Sequence, residues 1–296
     1  MIKSNLLLVF FSVLMLFTTS CKAQQIEESS IQVVLLAGQS NMAGAGDFDE
    51  LEDSEIKRIE KISARVSLSF NGKPAKPLSY YKNKPSEKYH FLKRFGPEIF
   101  IGLELAEANP NKHYLLIKRS QGGTALYGAW NPEWTEEKAK EVEKVHKQKI
   151  KLYSMHIADI KENLELLEKK GKSCKIIGMA WFQGENDAVK KVAADSYDEN
   201  LTKLINAYRS EFNIPKMPFV IGQTNSRYGI KGGAAIVRKA MEKVAKSVEH
   251  VDIIKTTTDT TWNDFPKHSD NVHYNAEGQK RFGIAFGKKL MNLIEN

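Results

Sequence analysis

Hydrophobic positions fall into three patterns along this chain. The first is Leu6–Phe17, apolar except for Ser12, preceded by Lys3 and followed by Thr18, Thr19, Ser20 and Cys21. A positive start, a short apolar stretch and small residues have the form of an export signal, and the run falls short of the roughly 20 residues that span a bilayer. Residues 1–20 are expected to be removed on export, giving a periplasmic, secreted or envelope-attached protein of bacterial type. Two processing routes fit: Cys21 becomes a lipidated N-terminus held at a membrane, or cleavage follows Ala23.

The second pattern is a set of short β-branched or leucine-rich runs at Ile31–Ala37, His113–Ile117, Lys175–Phe182, Met217–Gly222 and Val251–Ile254. Each has the length of a strand buried on both faces. The third is helical periodicity between them. Ile150, Tyr153, Ile157, Ile160, Leu164 and Leu167 recur every three or four residues, predicting a helix over Glu136–Lys170 that Gly171 stops. Further helices are predicted over about Ala235–Val248 and Asn275–Ile294. Five strands alternating with helices imply an α/β fold with a mostly parallel five-stranded sheet covered on both sides. No linker divides residues 24–296, so one domain is expected, with Asp47–Phe95 as a lysine-rich insertion on the ligand side carrying Pro74, Pro77 and Pro85.

Composition then narrows the class. At 296 residues, 42% hydrophobic and 27% charged, the chain has material for a large core, which excludes disordered and disulfide-scaffold classes. Its 44 basic and 36 acidic residues leave a net charge of +8, raising the question of a nucleic-acid partner. The lysines of Lys138–Lys151 alternate with glutamates, however, as on a solvated helix face, and no nucleic-acid motif is present. Cys174 has no partner once Cys21 is lost or lipidated, and it reads as a buried inert thiol. The seven histidines show no metal-ligand spacing, so neither metal nor cofactor is implied.

Candidate chemistry gathers where the apolar runs end. Ser40 follows the first strand within Gly38-Gln39-Ser40-Asn41-Met42-Ala43-Gly44, where an α/β sheet binds ligands and a nucleophile is useful. Met42 rules out the G-x-S-x-G elbow, and Asp49 rules out a dinucleotide loop on Gly44 and Gly46. After the second strand come Gln121-Gly122-Gly123-Thr124, and after the third Gln183-Gly184-Glu185-Asn186-Asp187. Gly123 offers a backbone N–H and Gln183 a side-chain amide, the donor types that oxyanion holes use. Asp270 precedes His273 by three residues, so the carboxylate can meet the imidazole on one turn. Asn41, Arg119 and Trp130 are candidate substrate contacts, with Trp134 and Trp262 as further sugar-stacking rings.

The ordered set GQSNMAG (38–44), QGGTAL (121–126), WFQGEND (181–187) and DNVH (270–273) resembles the SGNH-hydrolase superfamily. More closely it is similar to the sialate O-acetylesterase-like carbohydrate esterases of the sixth carbohydrate-esterase family, over roughly residues 31–290. The resemblance implies a flavodoxin-like three-layer α/β/α sandwich and removal of O-acetyl groups from sugars such as acetylated xylan or sialic acid. It also implies Ser40 as nucleophile, His273 as general base and Asp270 as its carboxylate. Ser40 N–H, Gly123 N–H and the Gln183 side chain would be the oxyanion donors. Glu185 is a second carboxylate that can share or replace the role of Asp270. Other readings are a lipase or thioesterase of the same superfamily and a non-catalytic carbohydrate-binding protein on the same fold. The oligomeric state is not written in the sequence.

Overall fold

The computed structural model describes residues 30–257 and 264–295, so the leader 1–20, Cys21 and Trp262 lie outside the described residues. In chain order the elements are β1 (Ile31–Gly38), α1 (Ser40–Ala43), α2 (Asp53–Ile62), β2 (Val66–Phe70), β3 (Lys76–Pro77), α3 (Glu98–Ala108), β4 (Tyr114–Ser120), α4 (Glu136–Val142) and α5 (Leu152–Lys169). They continue with β5 (Cys174–Phe182), α6 (Lys191–Asp195), α7 (Tyr197–Glu211), β6 (Phe219–Gly222), α8 (Gly233–Ser247), β7 (Val251–Ile254) and α9 (Ala276–Glu295).

The main sheet has seven strands in the order β7-β6-β5-β1-β4-β2-β3, all parallel except β3, which runs antiparallel to β2. Five of these are the runs expected from hydrophobicity; the expected count of five was short by two. Both added strands come from the 47–95 segment, which therefore extends the sheet instead of forming an irregular loop. Val66-Ser67-Leu68-Ser69-Phe70 alternates apolar and polar residues, with Val66 and Ser69 buried and the other three half-buried. The same segment contributes α2 and two strands, Tyr81–Lys82 and Lys93–Phe95, that form a small antiparallel sheet with Gly46–Asp47.

Period-two alternation sends the side chains of β1 into two separate cores. Val33, Leu35 and Ala37 join the core under α5, α7 and α8, with Ile160, Leu204 and Met241. Val34 and Leu36 join the core under α2, α3 and α9, with Ile59, Phe100 and Phe286. Each fully buried Val or Leu contributes about 1.5–3 kcal/mol, so a strand buried on both faces is held firmly. The chain leaves β1 with β5 on one side and β4 on the other, so the strand order reverses beside β1 and opens a crevice at its carboxyl end.

The helix expected over Glu136–Lys170 is broken. Glu143 ends α4 and turns inward, where its Oε1 accepts hydrogen bonds from Ala125 N at 2.8 Å and Ala129 N at 3.1 Å. Leu152 N donates to Ala129 O at 2.7 Å as α5 begins. The break thus braces the loop after β4. Cys174 is half-buried at the start of β5 rather than fully buried, and burial raises its thiol pKa.

Candidate active site

Gly38 ends β1 so close to β5 that a Cβ there would lie 2.1 Å from Phe182 O, and its φ of +156° permits the turn into α1. Gly44 closes α1 under similar pressure, with a hypothetical Cβ 2.2 Å from Gly96 Cα. Between them Ser40 opens the short helix half-exposed, while Asn41 and Met42 are buried. The carbonyl of Ala43 accepts from Tyr81 OH at 2.7 Å and from Lys118 Nζ at 3.1 Å, which fixes the end of the helix. Lys118 is itself buried and paired with Glu98 at 2.6 Å.

Ser40 Oγ lies 2.9 Å from His273 Nε2, and His273 Nδ1 lies 2.7 Å from Asp270 Oδ2. Asp270 Oδ1 accepts from the backbone N–H groups of Val272 and His273, each at 2.9 Å. An ionised Asp270 accepts a hydrogen bond from Nδ1–H, which fixes the tautomer and leaves Nε2 free to accept from the serine hydroxyl. The histidine loop is anchored on both sides. Tyr274 is buried and its ring stacks on Phe182 at 5.6 Å, while Asn41 Nδ2 donates to Val272 O at 3.1 Å.

Lys88, from the 47–95 segment, reaches into this arrangement with Nζ 2.6 Å from Asp270 Oδ2 and 3.1 Å from His273 Nδ1. Burial pushes the His273 imidazole below its ordinary pKa of 6.5; Asp270 opposes this, and the Lys88 and Arg94 cations push it further down. Burial acting alone would raise the Asp270 carboxyl. Hydrogen bonds from His273 N–H, Lys88, the imidazole and Val272 N–H outweigh it and hold the group well below the usual carboxylate range.

Gln39, Ser40, Gly123, Glu185, Asn186, Tyr228, Asp270, Val272 and His273 line a cleft of about 240 Å³, with Lys88 at its wall. Gly123 and Ser40 therefore both border the space where an acyl group would sit. The turn carrying Gly123 is held by Lys147, whose Nζ donates to Gly122 O and Gly123 O. Such a site can pass a proton from a hydroxyl to an imidazole while a carboxylate balances the resulting cation.

Several candidate residues stand elsewhere. Gln183 is buried, and its Nε2 already donates to Asp187 Oδ2 at 2.6 Å, Thr124 O at 3.0 Å and Gln39 Oε1 at 3.2 Å, so its amide is not free for an oxyanion. Asn41 faces inward: besides Val272 O, its Nδ2 donates to Glu185 Oε1 at 2.8 Å. Arg119 forms a bidentate pair with Asp159, at 2.6 and 2.8 Å, beneath the sheet. Trp130 is fully buried, with Nε1 donating to Thr124 Oγ1 and the ring edge-on to Trp181 at 5.3 Å. Trp134 is half-buried under the Lys151 ammonium. Glu185 borders the cleft without a bond to His273; its Oε2 is buried and unpartnered, and burial raises its pKa.

Sequence reasoning missed Lys88, Tyr228 and Asn186. Lys88 is one lysine among many and carries no local signal, whereas Asn186 sits inside a motif already singled out. Among the described residues, no group of three or more His, Cys, Asp or Glu side chains is placed to hold a metal ion.

Comparison with known proteins follows this geometry. The model of the family described as carbohydrate esterase, sialic acid-specific acetylesterase, matches residues 30–292. A probable carbohydrate esterase of Arabidopsis thaliana is 23% identical over 270 residues, covering 88% of this chain and 90% of its own. The solved structure from the same Arabidopsis thaliana locus has a TM-score of 0.65 at 20% identity, covering 89% of this chain and 98% of that one. NanS gives a TM-score of 0.60 at 14% identity over 90% of this chain and 97% of its own. A carbohydrate acetylesterase of Xanthomonas citri gives 0.58 at 17% identity over 89% of this chain and 56% of its own. The match over nearly all the described chain places it in a family: the protein belongs to the sialic acid-specific acetylesterase family of carbohydrate esterases.

Proposed function

We propose that this protein is a serine esterase that removes O-acetyl groups from carbohydrates, with Ser40 as nucleophile, His273 as general base and Asp270 as the carboxylate that orients it. The observation that carries the reading is the unbroken hydrogen-bonded line from Ser40 Oγ through His273 to Asp270 at the wall of an open cleft.

The reaction follows from that line. As Ser40 Oγ forms its bond to the acetyl carbonyl carbon, its proton moves to His273 Nε2 and the carbonyl electron pair moves to oxygen. The N–H groups of Ser40 and Gly123 are the proposed donors to that oxyanion; Gln183 drops out because its amide is engaged. Collapse breaks the bond to the sugar oxygen, which takes the proton from Nε2 and leaves as the alcohol. Water then gives a proton to His273 Nε2 as its oxygen bonds to the acetyl carbon, and collapse breaks the bond to Ser40 Oγ, which takes that proton back as acetate leaves. No cofactor enters these steps.

Acetylated sialic acid and acetylated xylan are the proposed substrates. The order β7-β6-β5-β1-β4 of the five strands expected from the sequence, with β1 between β5 and β4, supports the flavodoxin-like reading of the sandwich. The leader 1–20 and Cys21 support an exported single-domain protein over residues 24–296, lipid-anchored through Cys21 or cut after Ala23. A screen of O-acetyl sialosides and acetylated xylan for released acetate tests the proposal. Acetate from either supports it; activity only on long-chain acyl esters points instead to a lipase-type enzyme, and binding without hydrolysis to a carbohydrate-binding protein.

A further inference from the structure

Beside the cleft lies a second, larger pocket of about 600 Å³, formed by the loop after β6 and the first turns of α8. Arg227, Lys231, Arg238 and Lys239 line it against a single acid, Glu242. The half-buried Arg238 is tied into the frame, donating to Thr224 O, Thr256 Oγ1 and Thr256 O. Glu242 accepts from Gln223 Nε2 at 2.8 Å. Arg227, Lys231 and Lys239 form no ion pair among the described residues, so three cations face this space with Glu242 as the one acid in its lining.

The loop that shapes the pocket is firmly seated. Ile230 N donates to Ala188 O at 2.9 Å, and Gly229 and Gly233 lie against the same carbonyl so tightly that a Cβ on either would come within 2.3 Å of it. Ala188 belongs to the turn that follows Glu185 and Asp187, so the pocket and the cleft share one wall. Tyr228 makes the join: its ring is 49% exposed and lines the cleft, while its neighbours Arg227 and Gly229 line the basic pocket. A chain whose acetylated sugar sits in the cleft can run past Tyr228 toward the basic pocket, which Ile230, Ala234 and Ala235 also line.

We propose that this pocket is a second sugar subsite that takes a carboxylate or sulfate group on the residue adjoining the acetylated one, making the substrate an anionic oligosaccharide or polysaccharide. The proposal rests on the esterase reading of the cleft. It goes further by favouring substrates with a negative charge one residue away from the ester, which neither a free acetylated monosaccharide nor a neutral acetylated chain provides. Four cations lining one pocket with a single acid repel one another, and a bound anion relieves that repulsion most strongly at low salt.

The test compares acetate release from O-acetylated oligogalacturonate, an O-acetylated sulfated oligosaccharide and a neutral O-acetylated xylooligosaccharide of equal length. In the wild-type protein kcat/KM is expected to be about tenfold higher for an anionic chain than for the neutral one at low salt, the advantage shrinking as salt rises. Each of Lys231→Gln and Lys239→Gln is expected to lower that ratio about two- to fivefold, the range for exposed charge pairs, while Lys231→Arg and Lys239→Arg keep it. A ratio near one, or a ratio untouched by the double Gln variant, overturns the subsite. Preference for only the uronate or only the sulfated chain supports it and names the group. An aryl acetate separates the two readings: if the wild type hydrolyses it but shows no anionic preference, the subsite fails and the esterase stands. If it hydrolyses no ester, calorimetry of unacetylated oligogalacturonate still decides. Binding that weakens in the double Gln variant supports the subsite; no binding of oligogalacturonate or of the unacetylated sulfated oligosaccharide overturns it.

Discussion

Two loops at the same edge of the sheet carry carboxylates and use them in opposite ways. In the Asp270–His273 loop the carboxylate is partly open to solvent and gathers four donors: two backbone N–H groups, the imidazole and the Lys88 ammonium. It stays ionised, and it faces the histidine. In the Gln183–Asp187 loop, Glu185 and Asp187 are buried. Burial raises Glu185 and pushes Asp187 up to about 7, against the hydrogen bonds it accepts from Gln183, Leu126 and Tyr127. The bonds from Leu126 and Tyr127, both at 2.9 Å, tie the loop after β4 to the loop after β5, and the bond from Gln183 at 2.6 Å braces the latter loop internally. In the proposed mechanism one loop supplies a charge for chemistry and the other supplies acceptors for architecture. Residue type alone does not separate these roles; the number of donors and the access of water do.

The contrast is open to a direct break. Asp270→Asn keeps the shape but loses the charge that stabilises imidazolium and fixes its tautomer, and kcat on an aryl acetate is expected to fall by about 10³–10⁴. Glu185→Gln keeps an acceptor for Asn41 Nδ2 and is expected to change kcat by less than about tenfold. If Glu185→Gln is the crippled variant and Asp270→Asn is not, the roles of the two loops are exchanged.

A stability measurement sharpens the architectural half. Asp187→Asn replaces one acceptor oxygen by a donor facing Leu126 N–H and Gln183 Nε2, and a loss of about 1–3 kcal/mol in urea unfolding is expected. Unchanged stability would mean that the clamp between the loops carries no weight.

The smallest effect is a shift in pH dependence. His273 must be neutral to accept the serine proton, and its pKa is lowered, so kcat/KM is expected to rise with pH along an acid limb centred below 6.5. Lys88→Met removes a cation that disfavours imidazolium and also frees Asp270 to stabilise it. Both changes raise the His273 pKa, so the acid limb is expected to move to higher pH, leaving less activity on the acidic side. A profile that stays put, or moves to lower pH, would contradict the placement of Lys88.

Much of the frame was legible because burial on both faces writes itself as an uninterrupted apolar run, as in Val33-Val34-Leu35-Leu36 of β1. β2 escaped because Ser67 and Ser69 interrupt it, and α3 because Ile99, Phe100, Ile101 and Leu103 are all buried, leaving no polar stripe to set a helical period. At the site, the motif order pointed to the right loops but not to the direction of each side chain. Lys118 and Arg119 are neighbours on β4, so they point to opposite faces, one to Glu98 and the other to Asp159, and neither reaches the cleft. The Gln183 amide points to Asp187, four residues on, a pairing that the motif does not announce. Lys88 comes from more than 180 residues before the carboxylate it touches, a contact that only the folded chain creates.

The central claim is that the Ser40–His273–Asp270 line performs ester hydrolysis, and the most direct measurement is turnover of an aryl acetate by Ser40→Ala beside the wild type. A fall of several orders of magnitude with the fold intact by circular dichroism is the result expected for loss of the nucleophile. Retention of more than about a tenth of wild-type activity would contradict it, since triad removals cost far more than tenfold.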